Sequence, residues 1–214
     1  MRLVNIEMMK KFVVLALAFL WASNATLAQD LEFDRTRARD LSRWKPQMEK
    51  YSLRHYGEAT WRLDPTCIVL HYTVSKGYPW NLTRNQSFGG ETPGIAVHYV
   101  IDGEKIWEVL PPNVRSRGCY GINHRGINIE MVAMHADDLA TKTKTLETCQ
   151  KLCRMLMSRY GIEKSHIYSH QDVAAMSRKL TPEALDLVNG TPYHKIDPGV
   201  QNMETVLGGL KSRY

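Results

Sequence analysis

Short apolar runs separated by polar loops fill the middle of the chain and predict the strands of a sheet. Each run is too short for a typical helix and is rich in β-branched or other apolar residues. The runs are residues 67–72, 96–101, 126–133 and 167–169. Asp102 and Gly103 are typical of a hairpin turn, so residues 105–109 are predicted to return as a partner strand.

A helical spacing of apolar residues is clearest over residues 142–160, and Gly161 is well placed to end that helix. The apolar stripe consists of Leu146, Cys149, Cys153, Leu156 and Tyr160. Weaker patterns predict helices over residues 40–51 and 198–210 and a short helix that begins at Thr181. The rest of residues 171–192 is predicted to be a polar connection. Strands mixed with helices indicate an α/β fold, with a mixed central β-sheet flanked by helices.

The first 28 residues are typical of a secretory signal peptide. Lys10 and Lys11 precede an apolar run over residues 12–22, and Ala28 closes a plausible cleavage site. An uncleaved N-terminal anchor is the alternative. Beyond this leader we predict an N-terminal extension over residues 29–60, a main domain over residues 61–214 and no membrane span. The protein is therefore expected in the periplasm or outside the cell.

Charge and cysteine content narrow the possible partners only slightly. The formal net charge of +6 suits an anionic polymer, and the chain has no basic run that would indicate a nucleic-acid partner. An exported chain with four cysteines can form disulfides, and three complete pairings are possible. For Cys149 and Cys153 we favour burial in the core over a metal site, because they belong to the apolar stripe.

Three potential metal ligands lie where the backbone is expected to be rigid. His71 is near the end of one predicted strand, His170 follows another, and Asp197 lies in a Lys-Ile-Asp-Pro-Gly turn. Two histidines and one carboxylate are a typical ligand set for a catalytic zinc ion whose fourth position is left for water. His194 is a rival ligand.

Two further residues are candidates for catalysis. Glu130 lies in an apolar run, and a buried carboxylate is costly unless it is paired or used. Lys195 is two residues before Asp197, where its charge can meet a developing negative charge. His98 is expected either to pack in the core or to contact substrate.

Five segments occur in a fixed order between residues 65 and 199. They are CIVLHYT, AVHYVIDGEKIWEVLPP, GINHRGINIE, YSHQDVA and HKIDPG. In combination they resemble the zinc amidases that include phage amidases, bacterial cell-wall recycling amidases and the peptidoglycan recognition proteins.

The resemblance implies an N-acetylmuramoyl-L-alanine amidase with the mixed-sheet fold of that family. It implies one Zn²⁺ ion held by His71, His170 and Asp197, with Glu130 and Lys195 as catalytic residues. The implied substrate is peptidoglycan or a muropeptide, and we expect a monomer. A peptidoglycan-binding module without activity and an exported lytic effector against other bacteria are the alternatives.

The chain departs from the family pattern in three places. His170 and Asp197 are separated by 26 residues, so residues 171–194 form an insertion beside the predicted site. Val97 stands where some relatives have a tyrosine, which favours a glutamate-based mechanism. Gly118 lies near the place where relatives often have a histidine.

Overall fold

The structure is a computed structural model that describes residues 31–80, 84–177 and 193–210. The predicted signal peptide over residues 1–28, the helix predicted from Thr181 and most of the insertion lie outside the described residues. From Phe33 onward the chain forms one compact unit. No described helix has the length and apolar character that crossing a membrane requires.

A six-stranded mixed sheet forms the centre of this unit, as the sequence predicted. Its strands are β1 (Phe33–Asp34), β2 (Cys67–Tyr72), β3 (Tyr99–Asp102), β4 (Lys105–Glu108), β5 (Gly126–Met131) and β6 (Ile167–Ser169). They lie in the order β1-β4-β3-β5-β2-β6. Only β3 and β4 are antiparallel, and they form the predicted hairpin. Every residue of β2 and β5 is buried, as expected for parallel strands that are covered on both faces.

Five helices accompany the sheet in the described residues. They are α1 (Leu41–Tyr56), α2 (Ala136–Ala140), α3 (Thr143–Tyr160), α4 (His170–Ser177) and α5 (Val200–Gly208). The predicted long helix is α3, and Gly161 ends it in the left-handed conformation with φ 70°. The polar connection predicted for residues 171–192 is wrong over residues 171–177, because these residues belong to α4.

Helix α1 joins the predicted extension to the main core. Asp40 caps its first turn by accepting a hydrogen bond from the Ser42 amide at 2.9 Å. Its inner face buries Trp44, Met48 and Tyr51 in one cluster with Val97 and Val100 of the β3 region and neighbouring apolar residues. The extension thus contributes to the same core as the strands.

The predicted strand over residues 96–101 is displaced toward its C-terminal end. Ala96 pairs instead with Arg117, through backbone hydrogen bonds in both directions. This pairing draws residue 96 toward the loop before β5, so the regular ladder begins only at Tyr99.

The cysteines of α3 are core residues, as predicted. Cys149 and Cys153 are fully buried free thiols. The pKa of Cys149 is raised by its hydrogen bond with Cys153 and by burial. Thiolate chemistry is therefore disfavoured at this pair.

Candidate functional site

The candidate site lies at the carboxyl ends of three adjacent parallel strands. His71 in β2 is directly opposite Glu130 in β5, and Leu70 is opposite Ser169, after which His170 begins α4. Side chains that leave the same edge of a parallel sheet meet in one crevice. Strand register thus brings His71 and Glu130, and the start of α4 at His170, to the same edge of the sheet.

The three predicted ligands converge on one point. The Nδ1 atoms of His71 and His170 are 3.0 Å apart, and Oδ2 of Asp197 is 3.2 and 3.1 Å from them. Ligand atoms placed about 2.0 Å from a shared zinc ion at tetrahedral angles would be about 3.3 Å apart. The donor set and its spacing therefore fit a zinc ion with one open position.

The three side chains shift one another's pKa values. Burial opposes ionisation of Asp197, but its hydrogen bonds with His170 and His71 outweigh burial and hold its pKa well below the usual value. Burial and the neighbouring His71 lower the pKa of His170 to about 4. A carboxylate beside a neutral imidazole is the protonation state that a metal ion requires.

A capping box fixes the position of His170. The Ser169 hydroxyl accepts a hydrogen bond from the Asp172 amide at 2.9 Å, and the Asp172 carboxylate accepts one from the Ser169 amide at 2.8 Å. Because of the capping box, β6 ends at Ser169 and α4 begins at the next residue, so the direction of the His170 side chain is fixed.

The turn that carries Asp197 is held from both sides. The Asp197 carbonyl accepts a hydrogen bond from the Gln171 amide at 3.2 Å, next to His170. On the other side, the Asn202 side chain donates to the Pro198 carbonyl at 2.8 Å. Gly199 has φ 93°, and a Cβ there would be 2.9 Å from Cβ of Ala136, so only glycine fits.

Glu130 is a buried carboxylate with an unused oxygen. Its Oε2 atom is inaccessible and has no hydrogen-bond partner among the residues that the structure describes. Burial raises its pKa to about 7, although electrostatic interactions with His71 and Lys195 oppose the shift and Asp197 adds to it. A carboxyl group that titrates near neutral pH can both accept and return a proton.

A cavity of about 970 Å³ opens above these residues. His71, Glu130, His170 and Asp197 line its floor, and Lys195 and His194 lie exposed on its rim. The aromatic side chains of Tyr78 and Trp80 form a wall. The guanidinium groups of Arg37 and Arg84 are 3.9 and 4.5 Å from the Trp80 ring centre.

Cys119 is a further potential ligand that the sequence analysis treated only as one of four thiols. Its sulfur atom and one nitrogen from each of His71 and His170 all lie within 4.8 Å of one another. Asp197 has an oxygen within 3.2 Å of both histidine Nδ1 atoms. We therefore favour Asp197 as the third ligand on distance.

His98 is a core residue and does not line the cavity. Its Nδ1 atom accepts a hydrogen bond from the backbone N–H of Asn128, and its Nε2 atom donates one to the Val114 carbonyl, each at 2.9 Å. Both nitrogens are satisfied without a proton being added, and burial lowers the pKa of His98 to about 4. Val97 is also buried in the core.

The pKa of His98 predicts a loss of stability in mild acid. Between an unfolded pKa of about 6.5 and the folded value of about 4, only the unfolded chain takes up the proton, so the free energy of unfolding falls as the pH falls. His98 should account for about 3 kcal/mol of that fall. Urea unfolding of the wild type and the His98→Gln variant at pH 7 and pH 4 measures it. A variant that loses as much stability as the wild type would contradict the assignment.

The sequence model of a protein family described as N-acetylmuramoyl-L-alanine amidase matches residues 61–184, more than half of the chain. The chain belongs to this amidase family. The match covers His71, Glu130 and His170, whereas Lys195 and Asp197 lie beyond it. Membership supports peptidoglycan amidase activity.

The chain is similar in fold to a solved hydrolase structure. The hydrolase AmiA of Staphylococcus aureus, solved with its ligand, matches with a TM-score of 0.50 and 19% identity, over 84% of this chain and 82% of its own. The endolysin amidase LysCS of Clostridium intestinale URNW matches with a TM-score of 0.49 and 21% identity, over 70% of this chain and 91% of its own. A search among curated proteins gives no match. The likeness to AmiA agrees with the predicted mixed α/β amidase fold.

Proposed function

We propose that the protein is a zinc-dependent amidase that hydrolyses the bond between the lactyl group of N-acetylmuramic acid and L-alanine in peptidoglycan or muropeptides. The observation that carries this proposal is the convergence of two histidine Nδ1 atoms and one Asp197 oxygen beside Glu130, whose Oε2 atom has no hydrogen-bond partner among the described residues. A non-catalytic binding module would have no use for a buried, unpaired carboxylate.

His71, His170 and Asp197 would hold the ion. When bound, zinc acts as a Lewis acid and lowers the pKa of a bound water toward about 7. These three residues line the cavity, which has the volume to admit part of a muropeptide.

Glu130 carries the proton transfers in the proposed reaction. Its carboxylate takes a proton from the attacking water, and the water oxygen adds to the lactyl carbonyl carbon. As the carbon–nitrogen bond breaks, Glu130 returns the proton to the leaving alanine nitrogen. A pKa of about 7 suits both steps, because neither protonation state is strongly favoured at neutral pH.

Lys195 would stabilise the negative charge that develops on the carbonyl oxygen. Its side chain lines the cavity, and its charge already acts on Glu130 and His170. A fixed cation near the oxyanion lowers the barrier because it does not need to reorganise during the reaction. Arg37 and Arg84, beside Trp80, are positioned to attract the carboxylates of a stem peptide.

The proposed setting is the periplasm or the outside of the cell, with the protein acting as a monomer on the wall or on wall fragments. Export rests on the signal peptide predicted for residues 1–28 and on the extracellular location of the substrate. A lytic role against other cells would use the same chemistry.

Mass spectrometry of reaction products tests the proposal directly. The purified protein should convert a defined muropeptide into the free stem peptide and the intact muramic acid sugar. Treatment with a chelator should abolish this conversion, and added Zn²⁺ should restore it. Full activity after chelation would refute zinc dependence, and cleavage at any other bond would refute the proposed substrate bond.

A further inference from the structure

Asn128 is a buried polar residue that the reaction described above does not use. It lies on β5, two residues before Glu130, and is fully buried. Its side chain contacts His71, Ser116 and the carbonyl of Gly126. A buried amide with all of these partners is costly to replace, so its position calls for a specific reason.

The hydrogen bonds determine which way the Asn128 amide faces. Its Nδ2 atom is 3.3 Å from the Gly126 carbonyl oxygen, which can only accept, and 2.9 Å from the Ser116 hydroxyl oxygen. The nitrogen therefore faces these two groups. The Oδ1 atom must then face Nε2 of His71, at 2.9 Å.

This orientation determines the tautomer of His71. An amide oxygen only accepts hydrogen bonds, so Nε2 of His71 must carry the proton. In the neutral ring the lone pair is then on Nδ1. Nδ1 is the atom that approaches His170 and Asp197.

The side-chain amide of Asn128 fits below the proposed metal ligands because residue 118 is glycine. A Cβ at residue 118 would be 2.9 Å from Cγ of Asn128 and 2.9 Å from Cγ1 of Val97. No side chain at this position can coexist with Asn128 where it lies. Glycine at residue 118 thus leaves the space that the Asn128 side chain fills.

We propose that Asn128 is a positioning residue that holds His71 as an Nδ1 ligand, an inference that rests on the proposed zinc site. Residue 118 is glycine because any side chain there would occupy the space of the Asn128 side chain. The residue touches neither substrate nor reacting atoms, and it acts through His71. Partners of this kind orient a ligating imidazole and increase its basicity.

Zinc affinity, measured by competition with a chromophoric chelator on the full chain, is the primary test. Asn128→Leu keeps the approximate size but removes the acceptor, so zinc should bind about 10–100-fold more weakly. Asn128→Asp retains an acceptor oxygen and should restore most of the affinity. Equal zinc affinity for the wild type and Asn128→Leu would overturn the proposal.

Gly118→Ala provides a second, independent measurement. It should weaken zinc binding in the wild type, because the new methyl group displaces the Asn128 amide. In an Asn128→Gly background the same change should have little effect on zinc, because the hydrogen bond is already lost. Equal effects in the two backgrounds would show that residue 118 acts without Asn128.

Nitrogen NMR of the zinc-loaded chain gives a direct view of the tautomer. We expect the His71 proton on Nε2 in the wild type and in Asn128→Asp. A proton on Nδ1 would overturn the proposal. If the proposed function itself fails, the wild type will bind no stoichiometric zinc, which is distinct from normal wild-type binding with no effect of Asn128→Leu.

Discussion

Replacing Glu130 with glutamine is expected to lower kcat about 10²- to 10⁴-fold while zinc remains bound. The amide has nearly the same shape as the carboxylate but cannot take a proton from water at neutral pH. Zinc should stay because the three ligand atoms all belong to other residues. Turnover of a defined muropeptide, together with zinc content by atomic spectroscopy, measures both parts.

The neighbouring buried residue Met131 offers a control for the strand itself. Met131→Leu replaces a fully buried side chain of β5 with one of similar volume. The change should leave kcat almost unchanged. If Glu130→Gln lost its zinc as well as its activity, Glu130 would be a structural residue of the metal site rather than the proton carrier.

Replacing Asp197 with alanine is expected to remove zinc from the site and, with it, the activity. Two histidine ligands would remain. The zinc affinity should fall by more than the roughly 10–100-fold expected when a residue that only hydrogen-bonds a ligand is lost. Zinc that binds only the folded state also stabilises it, so the rise in melting temperature on adding zinc should disappear in Asp197→Ala. Calorimetry with and without zinc measures this.

Cys119→Ser tests the alternative ligand set, in which Cys119 takes the place of Asp197. Serine keeps the size of the cysteine but is a poor zinc ligand, so zinc content and activity should stay close to wild type if Asp197 is the third ligand. Cobalt substitution adds a spectroscopic check, because a cobalt–thiolate bond absorbs in the near ultraviolet. Loss of metal in Cys119→Ser, with metal retained in Asp197→Ala, would assign the cysteine instead.

The strands and the long helix were predictable because local pattern and tertiary role agree there. β2 and β5 are buried on both faces, so most of their residues are apolar apart from His71, Asn128 and Glu130, and α3 presents one apolar stripe to the core. Helix α4 was missed because its His-Gln-Asp start is polar and the helix is short. The Ser169–Asp172 capping box was a local signal that could have revealed it.

The site was partly predictable for a different reason. His71, His170 and Asp197 could be selected as ligand types at rigid positions, and Glu130 as a costly polar residue in an apolar strand. Asn128 gave no such signal, because an amide in a strand can be satisfied in many ways. Its role depends on the register between β2 and β5, which pairs His71 with Glu130 and which no local pattern encodes.

Because α1 contributes to the core, the residues that the family model matches and the residues that form the core do not coincide. The family match starts at residue 61, but Trp44, Met48 and Tyr51 already lie in the core by then. Burial of three such side chains at about 1.5–3 kcal/mol each approaches the roughly 5–15 kcal/mol by which a whole domain is stable. The residues that the family model matches therefore do not include all of the residues that form the core. We expect the stability of the folded domain to depend on a helix that lies before the matched residues.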